Sequence, residues 1–181
     1  MKRWEAPGDV RFVTFSCEKR LPLFGSARIR DVFADRLGAT RDLFRCELFA
    51  WVVMPEHVHL IVRPKDGELE PVLDYLKKSV SRKIISRWRE LNAPILKKIE
   101  LPNGSPRFWQ KGGGFDRNIR HEGEFVREVR YIHRNPVERE LVEQPRDWEW
   151  SSARWWLGEE SGGVVCDQPQ WIDESCNDRY V

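Results

Sequence analysis

Two histidines one residue apart, His57 and His59 in the run WVVMPEHVHLIV, are the first side chains in this chain whose types and spacing could do chemistry. On a β-strand alternate residues share a face, so both imidazoles project one way while Val58, Leu60 and Val62 project the other. Two imidazoles on one strand face can share a metal ion; set in apolar sequence, a polar pair otherwise needs hydrogen-bond partners. For an isolated pair, strand histidines satisfied by hydrogen bonds are the more ordinary reading. A second constellation, YIHRNP at 131–136, adds two groups. Tyr131 and Asn135 lie four apart, on one face of a helix and roughly opposite the apolar stripe of Phe125, Val129 and Ile132. An Asn135 carboxamide oxygen in the last turn could complete a set of two imidazoles and one oxygen. Such a set suits Mg2+ or Mn2+, leaves positions open for phosphate oxygens, and lacks the thiolates of a structural zinc site. Taken singly, a packing tyrosine and a helix-end asparagine explain the same residues.

These groups need a scaffold, and the hydrophobic pattern supplies one. Residues 10–16, VRFVTFS, alternate as a strand with a buried face. Ser26 can cap a helix that reaches residue 37, with Gly38 ending it. Residues 43–54 and 57–62 read as strands on either side of Pro55 and Glu56, hence an antiparallel hairpin. Residues 68–91 carry the longest helical pattern. Residues 102–114, rich in glycine and proline, read as a long loop, 115–119 as a fourth strand, and 122 to about 135 as a helix cut by Pro136. A tryptophan-rich last helix is expected over 145–157. The order β, α, β, β, α, β, α is that of a ferredoxin-like split unit: an α+β fold with an antiparallel sheet and helices on one face.

Composition narrows the function classes. The chain has 181 residues, 40% hydrophobic and 33% charged, which fits one globular domain. No apolar run approaches a membrane span and residues 1–8 lack the apolar stretch of a signal peptide, so a cytoplasmic protein without membrane association is expected. Cys17, Cys46, Cys166 and Cys176 form no CxxC pair, which leaves idle thiols. The formal charge of +2 averages two unlike regions. Over 76–98, eight basic residues face Glu90 alone; from 138 onward, eleven acidic side chains face four arginines. Lys77, Lys78, Arg82, Lys83 and Arg87 could follow phosphates along a single strand, each contact adding about 0.7 to the salt slope. Phe108 and Trp109, with Lys111 and the glycines 112–114, either stack and hold unpaired bases or close the core.

Together, MPEHVHLIV, then YIHRNPVERELV, then WEWSSARWW resemble the REP-associated tyrosine transposases, the single-tyrosine HUH family of single-stranded DNA nucleases, in the family's order over residues 10–157. The resemblance implies an HUH-nuclease type of fold. It implies metal ligation of Mg2+ or Mn2+ by His57, His59 and Asn135, and Tyr131 as nucleophile toward single-stranded or hairpin DNA. The product would be a 5′-phosphotyrosine and a free 3′-hydroxyl, whose rejoining elsewhere is strand transfer. A phenol ionises near about pH 10, so the attack needs a base or nearby positive charge; Glu128, three residues before Tyr131, is a candidate base. Glu56 stands where many relatives have asparagine and is expected not to touch the metal triad. Residues 1–158 are expected to form the transposase domain and 159–181 an acidic C-terminal extension that opposes DNA binding. Shorter relatives are dimers that exchange tyrosine helices; the REP-type resemblance points to a monomer. Two other classes stay open: a non-catalytic single-stranded nucleic-acid-binding module, and a metallohydrolase that uses water as nucleophile.

Overall fold

The computed structural model describes residues 8–112, 114–159, 164–170 and 179–181, so Gly113 of the expected loop and Cys176 lie outside the described residues. Strands β1 (Val10–Ser16), β2 (Glu47–Val53), β3 (His57–Arg63) and β4 (Phe115–Ile119) form one antiparallel sheet in the order β2-β3-β1-β4. β2 and β3 are the expected hairpin, closed where the Met54 N–H donates to the His57 carbonyl at 2.8 Å. Register places Thr14 of β1 between His59 of β3 and Phe115 of β4. The chain enters β4 through Gly114 at φ +80°, where a Cβ would collide with the Thr14 carbonyl oxygen, so only glycine fits.

Alternation gives this sheet two apolar faces. Helices α1 (Ala27–Phe44) and α2 (Leu69–Glu90) cover one, packing Phe33, Leu37, Leu76 and Val80 against Phe15, Trp51 and Leu60. The two crossover helices therefore share a face, as the ferredoxin-like order requires. After a short helix α3 (Ile95–Lys98) and β4, helix α4 (Glu122–Glu138) takes the other face. Its Phe125, Val129 and Ile132 are fully buried against Phe12, Ala50, Val52 and Ile61, and burying each contributes about 1.5–3 kcal/mol. A third helix can dock there because β2 and β3 are apolar on both faces. α4 begins where the His121 imidazole accepts the Glu124 N–H at 3.2 Å. Among the described residues no helix is long and apolar enough to cross a membrane.

The expected boundaries are moved by local causes, and residues 43–44, expected to open the second strand, are instead the end of α1, with β2 starting at Glu47. α1 runs through Gly38 to Phe44 and stops at Arg45, which takes a left-handed conformation at φ 48°; at Gly38 a Cβ would meet Val164 only at an ordinary 4.0 Å, and the helix carries this glycine without ending. α4 passes Pro136 and reaches Glu138. The proline removes a single donor, and helical bonding resumes where the Arg139 N–H donates to the Asn135 carbonyl at 3.1 Å. The tryptophan-rich stretch is not one helix. A 3-10 turn (Pro145–Asp147) leads into an extended segment beside β2, where the Val53 N–H donates to Trp150 O at 2.9 Å and the Ser152 N–H to Trp51 O at 3.0 Å. A one-turn helix α5 (Ala153–Trp156) follows. Hydrogen bonds along the edge of β2 outweigh helix propensity there. The Trp148 and Trp156 indoles donate to Val53 O and Phe49 O at 3.0 and 2.9 Å, so these rings are core, as expected.

The described part of the C-terminal segment is built into this core. Asp167 receives both Arg41 nitrogens at 3.0 and 2.7 Å and the Leu48 N–H at 2.8 Å. Tyr180 is 1% exposed, its ring 4.4 Å from that of Trp156, and its carbonyl meets His133 Nδ1. The thiols of Cys17, Cys46 and Cys166 are free and buried; burial pushes Cys46 up to about 11 and the other two further, so they are inert at neutral pH.

Candidate active site

The sheet face under α4 carries the chemistry-bearing residues. His57 and His59 both project toward α4, and they are 5% and 4% exposed. Their Nε2 atoms face each other at 3.0 Å. His57 Nδ1 lies 3.1 Å from Glu56 Oε1, and a carboxylate can only accept, so Nε2 of His57 keeps its lone pair. Thr14 Oγ1 sits 2.6 Å from His59 Nδ1; in the tautomer that donates there, His59 Nε2 is a second lone pair aimed at the first. Burial, with the neighbouring His57 next in weight, pushes His59 down to about 3, and burial also lowers His57, so both imidazoles are neutral at pH 7.

α4 brings the second constellation over this pair. Asn135 is 6% exposed and its Nδ2 lies 3.5 Å from His59 Nε2, while its Oδ1 is buried with no hydrogen-bond partner. The Tyr131 ring stands at 70° to the His59 ring with centroids 5.2 Å apart, and 6.1 Å from the Phe12 ring. Tyr131 is 40% exposed, so its hydroxyl end is open to solvent while its ring is held. Two facing imidazole lone pairs and a carboxamide whose nitrogen faces His59 while its oxygen has no partner are groups that could hold a divalent cation if the amide turned its oxygen inward. That chemistry fits a divalent cation. Among the described residues no three His, Cys, Asp or Glu side chains gather, so zinc-type sites are not assembled elsewhere in them.

A cleft of about 720 Å3 opens over these groups, and the cations that line it are arginines: Arg20, Arg117, Arg127 and Arg139. Arg117 is held by Glu124 and by Glu128, the latter at 2.6 Å, and its Cζ lies 5.5 Å from the centre of the Phe12 ring. Arg127 Nε reaches the same Glu128 oxygen at 3.0 Å. Glu128 is buried and shared between two guanidinium groups, so it anchors arginines and is not a free base. Glu56, expected not to touch the triad, does touch one member, because the tight β2–β3 turn sets its carboxylate beside His57 Nδ1 at 3.1 Å; Arg139 Nη1 also reaches it at 2.9 Å. Burial works to raise the Glu56 carboxyl, and its interactions with His57 and the Arg139 guanidinium outweigh it and hold the group below the usual carboxylate range.

The basic residues read from the sequence lie elsewhere. α2 packs on the opposite sheet face, so Lys77, Lys78, Arg82, Lys83 and Arg87 do not line the cleft. Lys77 Nζ lies 4.6 Å from the centre of the Phe15 ring, Lys78 pairs with Asp74 at 2.7 Å, and Arg87 pairs with Glu90 at 2.9 Å. Arg82 and Lys83 line a shallow groove with Arg36. The expected binding loop is pinned: Phe108 is 2% exposed, and Trp109 packs edge-on to Phe15 and tilted against Phe24 while its indole N–H donates to Lys77 O at 2.8 Å. Of the two uses weighed for this aromatic pair, core closure is what these contacts serve. Lys111, just beyond, is exposed. The cleft arginines carried no sequence signal, because they come from separate elements scattered among 31 basic residues.

A family model described as transposase, IS200-like, matches residues 10–134. The chain is 33% identical to the REP-associated tyrosine transposase of Escherichia coli K12 over 107 residues, which is 59% of this chain and 53% of that protein. It thus spans about half the length of that relative. A Haemophilus influenzae protein is 26% identical over 147 residues, 80% of each chain. A solved structure of a REP-associated tyrosine transposase bound to a REP hairpin superposes with a TM-score of 0.68 at 21% identity, covering 96% of this chain and 98% of that one. At that identity the likeness is one of fold, and it agrees with the α+β antiparallel architecture described above.

Proposed function

The chain belongs to the IS200-like transposase family, and from that premise we propose that it is a metal-dependent endonuclease and strand-transferase for single-stranded or hairpin DNA. The observation that carries the reading is the convergence of Tyr131, His57, His59 and Asn135 in one cleft from β3 and α4. In this reading Tyr131 Oη attacks a phosphorus atom, the bond to the 3′ oxygen breaks, and a 5′-phosphotyrosine remains with a free 3′-hydroxyl. Attack by another 3′-hydroxyl on that phosphotyrosine restores a phosphodiester and the phenol. His57, His59 and Asn135 would hold Mg2+ or Mn2+, which when bound polarises the phosphate and favours charge on the leaving oxygen.

The chain's own residues supply the rest. The His59 and Phe12 rings flank the tyrosine ring, which limits the directions its hydroxyl can take. Arg117, fixed by Glu124 and Glu128, brings positive charge to the same cleft, where it favours both the phenolate and the phosphate it attacks. Arg20, Arg127 and Arg139 extend that field along the cleft for an incoming backbone. Lys77, Lys78, Arg82, Lys83, Arg87 and Lys111 would bind DNA outside the cleft, on the α2 side and beside β4, and Trp109 would support that surface from beneath. The proposal includes a cytoplasmic monomer, with the segment after residue 158 as an acidic extension. A hairpin oligonucleotide incubated with the protein and Mn2+ tests the reading: a covalent protein–DNA adduct supports it. Cleavage that persists in Tyr131→Phe and disappears in His57→Ala would instead identify a hydrolase with water as nucleophile.

A further inference from the structure

The donor set of the site comes from two elements that share no backbone hydrogen bond, and Glu56 joins them. Its carboxylate is 7% exposed at the β2–β3 turn. From there Oε1 meets His57 Nδ1 at 3.1 Å, Arg139 Nη1 at 2.9 Å and Arg20 Nη2 at 3.5 Å. Arg139 is the residue that ends α4, and its N–H donates to the Asn135 carbonyl at 3.1 Å. Glu56 thus touches both sides of the site: directly it meets His57, whose Nε2 faces that of His59, and through Arg139 it reaches the helix end that carries Asn135. We propose that Glu56 is a positioning residue that, in one carboxylate, sets the ring of His57 and latches the end of the tyrosine helix over the histidine pair.

The physical case is specific. Pro136 has removed a hydrogen bond from the last turn of α4, so this end of the helix is weaker than its middle and gains most from an external tie. An ion pair at the protein surface is worth little, but this carboxylate is buried and accepts its second contact from a histidine, so breaking either arm leaves a buried charge with one partner fewer. Where asparagine occupies this position, as the resemblance above suggests for many relatives, a neutral amide would serve the histidine but hold an arginine less firmly. The latch also keeps Tyr131 over the same chain's histidines, since it fixes the end of the helix that carries both Tyr131 and Asn135.

The inference rests on the proposed function, and a two-part measurement on the full chain separates the two. Glu56→Gln, Arg139→Met and the double variant are compared for amide exchange of Arg139, Glu140 and Leu141 and for Mn2+ affinity by calorimetry. A latch predicts severalfold faster exchange of those three amides in each single variant. It also predicts Mn2+ binding weaker by roughly tenfold, with the double variant no weaker than Glu56→Gln alone. Arg139→Met with wild-type exchange and wild-type Mn2+ affinity overturns it, as do effects of the two single variants that multiply in the double. A wild-type chain that binds no Mn2+ would count against the proposed function, and the exchange rates would still decide the latch.

Discussion

Nε2 of His57 stands 3.0 Å from Nε2 of His59, with the side chain of Asn135 3.5 Å away and its oxygen unpartnered. Two lone pairs at that distance favour a cation between them. Asn135→Ala should therefore weaken Mn2+ binding by about tenfold or more, comparable to the loss of an outer-shell partner, and His57→Ala should abolish it. Calorimetry on the three proteins checks this; equal affinity in Asn135→Ala would remove the carboxamide from the donor set.

Arg117 is pinned by two glutamates on the tyrosine helix. Arg117→Met should lower the rate of cleavage of bound DNA by roughly 100- to 1,000-fold, the usual loss for one fixed electrostatic donor. Glu128→Gln should cost only about tenfold and add nothing to Arg117→Met, because it acts through that arginine. A larger loss in Glu128→Gln, with loss of the acid limb of the pH–rate profile, would make Glu128 the general base after all.

The hairpin, the shared face of the two histidines and the pairing of Tyr131 with Asn135 were legible in the sequence because period-2 and period-3.6 patterns fix which way a side chain points. What stayed hidden depended on tertiary geometry. Gly38 looked like a stop, yet a helix packed on both sides of it carries one glycine and continues. Pro136 looked like a stop, yet a helix can lose one donor and continue. The basic run on α2 drew attention as a local charge excess, while the cleft is lined by Arg20, Arg117, Arg127 and Arg139, which only the fold brings together.

The segment carrying Phe108 and Trp109 is held by Arg107, whose Nε and Nη2 reach Glu18 at 2.7 and 2.9 Å. Arg107 holds the Glu18 carboxyl below its ordinary value of 4.5. A depressed carboxyl stabilises the fold above that value, and the stabilisation is lost as pH falls through the lower folded one. Arg107→Met should thus have a lower Tm at pH 7, and the gap in Tm should shrink toward pH 3. A gap that grows on acidification contradicts the assignment.

Tyr180 packs on Trp156 and caps His133, so the C-terminal segment supports the helix that carries Tyr131. Tyr180→Ala should cost about 3 kcal/mol, read as a lower urea midpoint at unchanged slope; an unchanged midpoint would show that the segment docks without stabilising. The expected opposition of this acidic segment to DNA binding is for the same reason better tested by charge-neutralising substitutions than by deletion.

The central claim is that the Tyr131 oxygen becomes covalently bound to DNA. With Mn2+ and a hairpin oligonucleotide, peptide mass mapping should find a 5′-phosphonucleotide adduct on the peptide that contains Tyr131, and none in Tyr131→Phe. Cleaved DNA with free 5′-phosphate ends and no adduct, or an adduct that survives in Tyr131→Phe, would contradict it.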